Sequence, residues 1–159
     1  MDDRRSTFGT TIFFGPNLIS WWSRKQQVIA QSSTEAEFRS LAQTSAELTW
    51  ITRLLTKLQV SYQTPQLLCD NQSAVTIAHN PVFHNRTKHM EIDIFFVRET
   101  ILAQQLTVSH IPALDQWVDL FTKVLSSTRF AVLCIKLNVK HFSAEKSSLK
   151  FEGAIRVLE

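Results

Sequence analysis

A long amphipathic helix with an acid set into its apolar stripe constrains this chain more than any other feature. Phe38, Leu41, Leu48, Ile51, Leu55 and Leu58 recur at helical spacing. The cluster Ser32-Ser33-Thr34 just ahead of them can cap a first turn, so the spacing predicts a helix from about Ser33 to Leu58. At about 100° per residue Glu37 projects along the line of Leu41, Leu48 and Leu55, whereas Glu35 falls off that line toward solvent. Glu35 can close a capping box with Ser32, and Glu37 could do so with Thr34. A carboxylate on the buried stripe points instead to chemistry at an apolar edge, and Glu37 is the better candidate for it.

The segments around the helix set the fold class. Thr10 to Phe14 is a β-branched and aromatic run closed by Gly15-Pro16-Asn17, and Leu18 to Trp22 is a second apolar run, so the two predict a hairpin. After the helix comes a polar connection through Pro65, then the apolar run Leu67-Leu68-Cys69, which places Asp70 at the carboxyl end of a buried strand. A short helix from Asn71 to Ala78 cannot continue through Pro81. His84 to His89 is a basic loop, Ile92 to Leu102 a second long helix, and Leu106, Val108 and His110 alternate as a strand halted by Pro112. Trp117, Phe121 and Val124 mark another helix, and beyond about Ser126 the pattern weakens into a Lys-rich tail. The sum is a mixed α/β sheet with helices on its faces, one domain over residues 1–125 and a helical or irregular tail over 126–159. With 159 residues, 44% of them hydrophobic, the chain can bury one good core.

Composition narrows the function classes. A net charge of +3 permits a nucleic-acid partner without a polybasic signature. Cys69 and Cys134 lack the spacing of a zinc site or a disulfide framework, so a reduced intracellular setting, cytoplasmic or nuclear, is the expectation. No stretch approaches the length needed to cross a bilayer, and Met1 to Ser6 contains no apolar core of a secretion signal. His79, His84 and His89 recur at five-residue intervals, but that spacing scatters them around a helix and Pro81 interrupts it, which argues against zinc.

Ligands of such sheets gather at the carboxyl ends of strands and at helix N-termini. Glu37 in a first turn, Asp70 at a strand end and Asp119 early in the last regular helix all fall at such places. Singly each reads as a surface or capping acid. Together they would repel one another, and hard divalent cations such as Mg²⁺ are their natural counterions.

Several strings carry a family resemblance: Arg4-Arg5-Ser6-Thr7, Asn17-Leu18-Ile19-Ser20-Trp21, Ser32-Ser33-Thr34-Glu35-Ala36-Glu37-Phe38, Cys69-Asp70-Asn71-Gln72-Ser73-Ala74, the stretch Arg86 to Asp93, and Asp119-Leu120-Phe121-Thr122-Lys123. Taken in order they resemble the ribonuclease H region that ends the Pol polyprotein of copia-type retrotransposons. The resemblance implies a ribonuclease H-like fold and cleavage of the RNA strand of an RNA–DNA hybrid with two Mg²⁺ ions. It implies metal binding by Glu37, Asp70 and Asp119, proton transfer or product release at His110, and an upstream reverse transcriptase in the same polyprotein. A strand-end core histidine is the alternative reading of His110. Arg24, Lys25, Asn71, Arg86 and Lys88 are candidate contacts to the nucleic acid, which is gripped through phosphates and 2′-hydroxyls, with ordinary solvated charge the alternative for any one of the basic residues.

The resemblance also implies a fourth carboxylate on a first, central strand of the form Asp-Ala-Asp-Trp-Ala-Gly. The sequence opens at Met1-Asp2-Asp3-Arg4-Arg5, which corresponds to the turn after that strand. The expectations are an open strand slot beside Asp70, unpaired strand edges and impaired catalysis. A catalytically inactive remnant that at most binds nucleic acid is the alternative function. Phe8, Trp22 and Phe95 depart from the family pattern and predict extra exposed apolar surface.

Overall fold

The hairpin, long helix and strand expected in the first half of the chain all form in the computed structural model, which describes residues 5–80, 90–139 and 155–158, the last stretch by its backbone and the Val157 side chain. Strand β1 (Thr7–Phe14) pairs antiparallel with β2 (Asn17–Lys25) across the two-residue loop Gly15-Pro16. Gly15 supplies the positive φ of 59° that so tight a loop needs. Helix α1 (Ser33–Lys57) starts at Ser32, whose hydroxyl accepts the Glu35 N–H. Strand β3 (Gln66–Cys69) leads to α2 (Gln72–His79), and α3 (Glu91–Leu102) to β4 (Thr107–His110). A 3₁₀ turn at Ala113–Asp115 and the one-turn helix α4 (Asp119–Thr122) follow.

The tail, expected to be helical or irregular, contains a helix and, beyond that expectation, a strand. Helix α5 (Ser127–Lys136) is capped by the Ser126 hydroxyl, which accepts the Arg129 N–H, and it buries Leu133. Strand β5 (Ile155–Leu158) enters the middle of the sheet, whose order is β2-β1-β5-β3-β4. It runs antiparallel to β1, with Ile12 opposite Val157, and parallel to β3, with Leu67 opposite Val157. The expected open slot is therefore filled. Backbone donors and acceptors at two facing edges must be paired, and the C-terminal strand pairs both.

The sheet separates two cores. Alternation along β3 sends Leu67 and Cys69 to one face and Leu68 to the other. On the first face α1, α2 and α3 cover Ile12, Leu67, Val108 and Val157 with Phe38, Leu41, Ile94 and Val97. A buried hydroxyl pair, Thr10 Oγ1 to Thr44 Oγ1 at 2.8 Å, ties β1 to α1. On the second face Phe13, Val118 and Leu137 form a smaller cluster with Trp117, Leu68 and Ile111. Truncating a fully buried residue such as Leu67 to alanine costs about 2–5 kcal/mol in such a setting.

Of the three departures expected to expose apolar surface, Phe8 does not and Trp22 is half-buried. Phe8 is buried and meets Trp22 edge to face at 5.2 Å, and the Arg24 guanidinium covers that Trp22 ring at 5.1 Å. Phe95 is exposed, as expected. No described helix is long and apolar enough to cross a membrane.

Candidate metal centre

Three elements deliver the acids to one cleft of about 140 Å³ at the carboxyl end of β3. The first turn of α1 brings Glu37, the residue after β3 is Asp70, and the N-terminus of α4 brings Asp119. What sets α4 at this distance is Gly9 on β1. A β-carbon there would meet Val118 Cγ1 at 2.6 Å and Thr122 Cγ2 at 3.0 Å, so only a glycine lets α4 lie so close.

Glu37, Asp70 and the Cys69 thiol each offer a ligand atom, and these atoms lie within 4.8 Å of one another. Among the described residues neither carboxylate is in an ion pair. Burial pushes the Glu37 carboxyl above its ordinary range, the nearby Asp70 pushes it further in that direction, and Lys123 pulls it back. Two carboxylates crowded in a half-buried place are an energetic liability that a divalent cation would relieve, and their oxygens suit Mg²⁺ or Mn²⁺. The soft sulfur of Cys69 is a poor ligand for such ions, and it accepts the Asn71 N–H at 3.4 Å. The donor set thus fits a hard cation at Glu37 and Asp70.

Asp119 faces the same cleft but stands outside the 4.8 Å group, and both its oxygens are engaged. Lys123 Nζ lies 2.8 Å from Oδ1, and Arg129 Nη2 donates to Oδ2 at 3.0 Å. Asp119 is 5% exposed, which accounts for its having two cationic partners.

The remaining expected site residues distribute unevenly. His110 closes β4 in register with Cys69, and its exposed ring places Nε2 3.2 Å from the Asp70 backbone carbonyl, at the rim of the acids. Asn71 caps α2, its carboxamide oxygen accepting the Ala74 N–H at 3.0 Å. Arg24 and Lys25 are exposed at the end of β2, opposite Phe8 and Thr7, whose residues wall the cleft. Arg86 and Lys88 lie outside the described residues, as do Asp2, Asp3, His84 and His89.

One expectation about α1 is reversed. Glu35, expected toward solvent, is 3% exposed, while Glu37 is only half-buried. The Glu35 carboxylate accepts the Gln31 N–H at 2.7 Å and pairs with Arg39 at 2.7 Å, one turn on. It is folded under the helix start by these partners, which a helical wheel does not represent. Lys123 and Arg129, which engage Asp119, are the site residues that the sequence reading does not name. Lys123 had a signal, being four residues after Asp119, whereas nothing in the spacing marks Arg129.

The chain is 44% identical over 139 residues to the retrovirus-related Pol polyprotein from transposon RE1 of Arabidopsis thaliana and 43% identical over 139 residues to that from transposon RE2 of the same plant. It is 33% identical over 141 residues to the retrovirus-related Pol polyprotein from transposon TNT 1-94 of Nicotiana tabacum. These alignments cover 87–89% of the chain and 10% of each relative. No protein family signature matches, and no solved structure does. The homologues of this chain are retrovirus-related Pol polyproteins of copia-type transposons, and it corresponds to about a tenth of their length.

Proposed function

We propose that the chain is the ribonuclease H part of a transposon Pol polyprotein, with a ribonuclease H-like fold, and that it hydrolyses the RNA strand of RNA–DNA hybrids with Mg²⁺. The observation that carries this reading is the convergence of Glu37, Asp70 and Asp119 on one cleft from three separate elements. The homology to Pol polyproteins supports it, since a reverse transcriptase leaves a hybrid whose RNA must be removed, and the covalent neighbour in this reading is that reverse transcriptase.

Glu37 and Asp70 would hold one ion through their oxygens and Asp119 would help to hold a second. When bound, Mg²⁺ supplies charge stabilisation at the scissile phosphate and a water of lowered pKa. The chain's own residues do the rest. His110 stands at the rim to move a proton to or from the reacting oxygens, and the exposed Arg24 and Lys25 grip the phosphate backbone beside the cleft. Among the described residues this cleft carries three carboxylates, one fewer than the resemblance implies. The expected activity is correspondingly slow.

The test is release of labelled RNA from a hybrid in Mg²⁺ by the purified chain. Slow cleavage that Asp70→Asn abolishes, with hybrid binding retained, is the expected result. Cleavage unaffected by Asp70→Asn would sink the assignment. The engagement of both Asp119 oxygens favours a second reading, an inactive remnant that only binds nucleic acid. Hybrid binding with no cleavage at any Mg²⁺ concentration would select it.

A further inference from the structure

An acidic cleft ordinarily waits for a cation, but this one already contains part of one. Lys123 lines the cleft together with Glu37 and Asp70, and its ammonium lies 2.8 Å from Asp119 Oδ1. The side chain is 57% exposed, so it can leave without breaking a packed core. Arg129 holds the other oxygen of Asp119 at 3.0 Å, and its buried Nε–H has no acceptor among the described residues.

We propose that Lys123 is a built-in counterion of the cleft: it holds Asp119 in the position a second divalent ion would need, so that the first ion binds at Glu37 and Asp70 and the second enters only when Lys123 lets go. This rests on the metal-binding reading above and adds to it a fixed order of ion uptake.

The chemistry supplies the release as well. A nucleic-acid phosphate brought to the cleft offers Lys123, which lines it, an alternative anion. As Lys123 turns from Asp119 to the phosphate, Oδ1 of Asp119 becomes available to an ion. Phosphate binding and second-ion binding then favour one another.

The experiment is a Mn²⁺ titration of the full chain followed by electron paramagnetic resonance and calorimetry, with no nucleic acid present. The wild type is expected to take up one ion at low concentration and a second only much more weakly. Lys123→Met should tighten the second ion by about tenfold or more, since a neighbouring positive charge is gone. Lys123→Arg, which keeps the charge, should leave the second ion weak, and thermal unfolding of both variants checks that the fold is retained. Two ions of similar affinity in the wild type would overturn the proposal, as would a second ion indifferent to Lys123→Met. In those outcomes the first ion still binds and is lost in Asp70→Asn, so the metal-site reading survives. Binding of no ion at all would remove both.

Discussion

Replacing Glu37 with glutamine should stabilise the metal-free protein at neutral pH. In the folded chain burial and Asp70 hold the Glu37 carboxyl above its ordinary value near 4.5. A carboxyl raised in this way contributes its full stability below the unfolded value, and that contribution is lost as pH rises through the folded value. As pH rises above that ordinary value, charge develops on Glu37 beside Asp70, with ligand oxygens within 4.8 Å. Two unit charges at that distance repel by about 1 kcal/mol in water and about 3.5 kcal/mol at the effective dielectric of a protein surface. The attraction of Lys123 offsets part of this, which leaves about 1–2 kcal/mol to be recovered by Glu37→Gln. For a chain of this size that is a rise in Tm of about 2–8 °C. Differential scanning calorimetry at pH 7.5 and pH 4 measures it. At pH 4 the difference should nearly vanish, because the wild-type carboxyl is then protonated. With Mg²⁺ at pH 7.5 the wild type should gain stability and the variant far less, through ligation of the folded state. A variant no more stable than wild type at pH 7.5, or an advantage that persists at pH 4, would refute the electrostatic account of this cleft.

Three further perturbations probe the scaffold. Gly9→Ala should cost about 1–3 kcal/mol by overpacking against Val118, and it should weaken Mn²⁺ uptake by displacing α4 with Asp119; an unchanged Tm and isotherm would show that α4 is not held by this contact. Glu35→Gln should cost about 1.5–3 kcal/mol by weakening a buried charged hydrogen bond to Gln31 and the pair with Arg39, measured by urea unfolding, and a silent substitution would return Glu35 to the solvent role first expected of it. Val157→Asp places a charge at a position with no exposure between β1 and β3, so a loss above about 4 kcal/mol or the absence of a cooperative transition is expected, and wild-type unfolding would mean that β5 does not hold the sheet together.

The local elements were legible because each is written in contiguous periodicity. The stripe from Phe38 to Leu58 predicts a helix to Leu58, and α1 ends at Lys57 with Leu58 as its cap. Asp70 was placed at a strand end by three apolar residues, and it sits there. Burial of individual charges was less legible, since it depends on partners. Glu35 and Glu37 are two positions apart on one helix, and their wheel positions alone rank them in the wrong order of exposure. Arg39 and the Gln31 N–H draw Glu35 inward, while Glu37 opens onto a cleft that exists only because Gly9 admits α4.

The strand β5 was illegible for a deeper reason. Four residues, Ile155 to Leu158, are too few for a period-2 pattern to stand out from a tail of mixed character. Their structure is determined by the slot rather than by their own propensity. Among the described residues β1 and β3 do not pair with each other, so without β5 the sheet would fall into two ribbons of two strands each. Such isolated pairs are marginal in water. Any segment with a small apolar residue at the inward position and free backbone groups could close the slot, and Val157 meets that need opposite both Ile12 and Leu67. The geometry of the cleft depends on this closure. Gly9, which sets α4 and hence Asp119, lies on β1, and Asp70 follows β3, so the acids face one another only while a strand between them fixes the spacing.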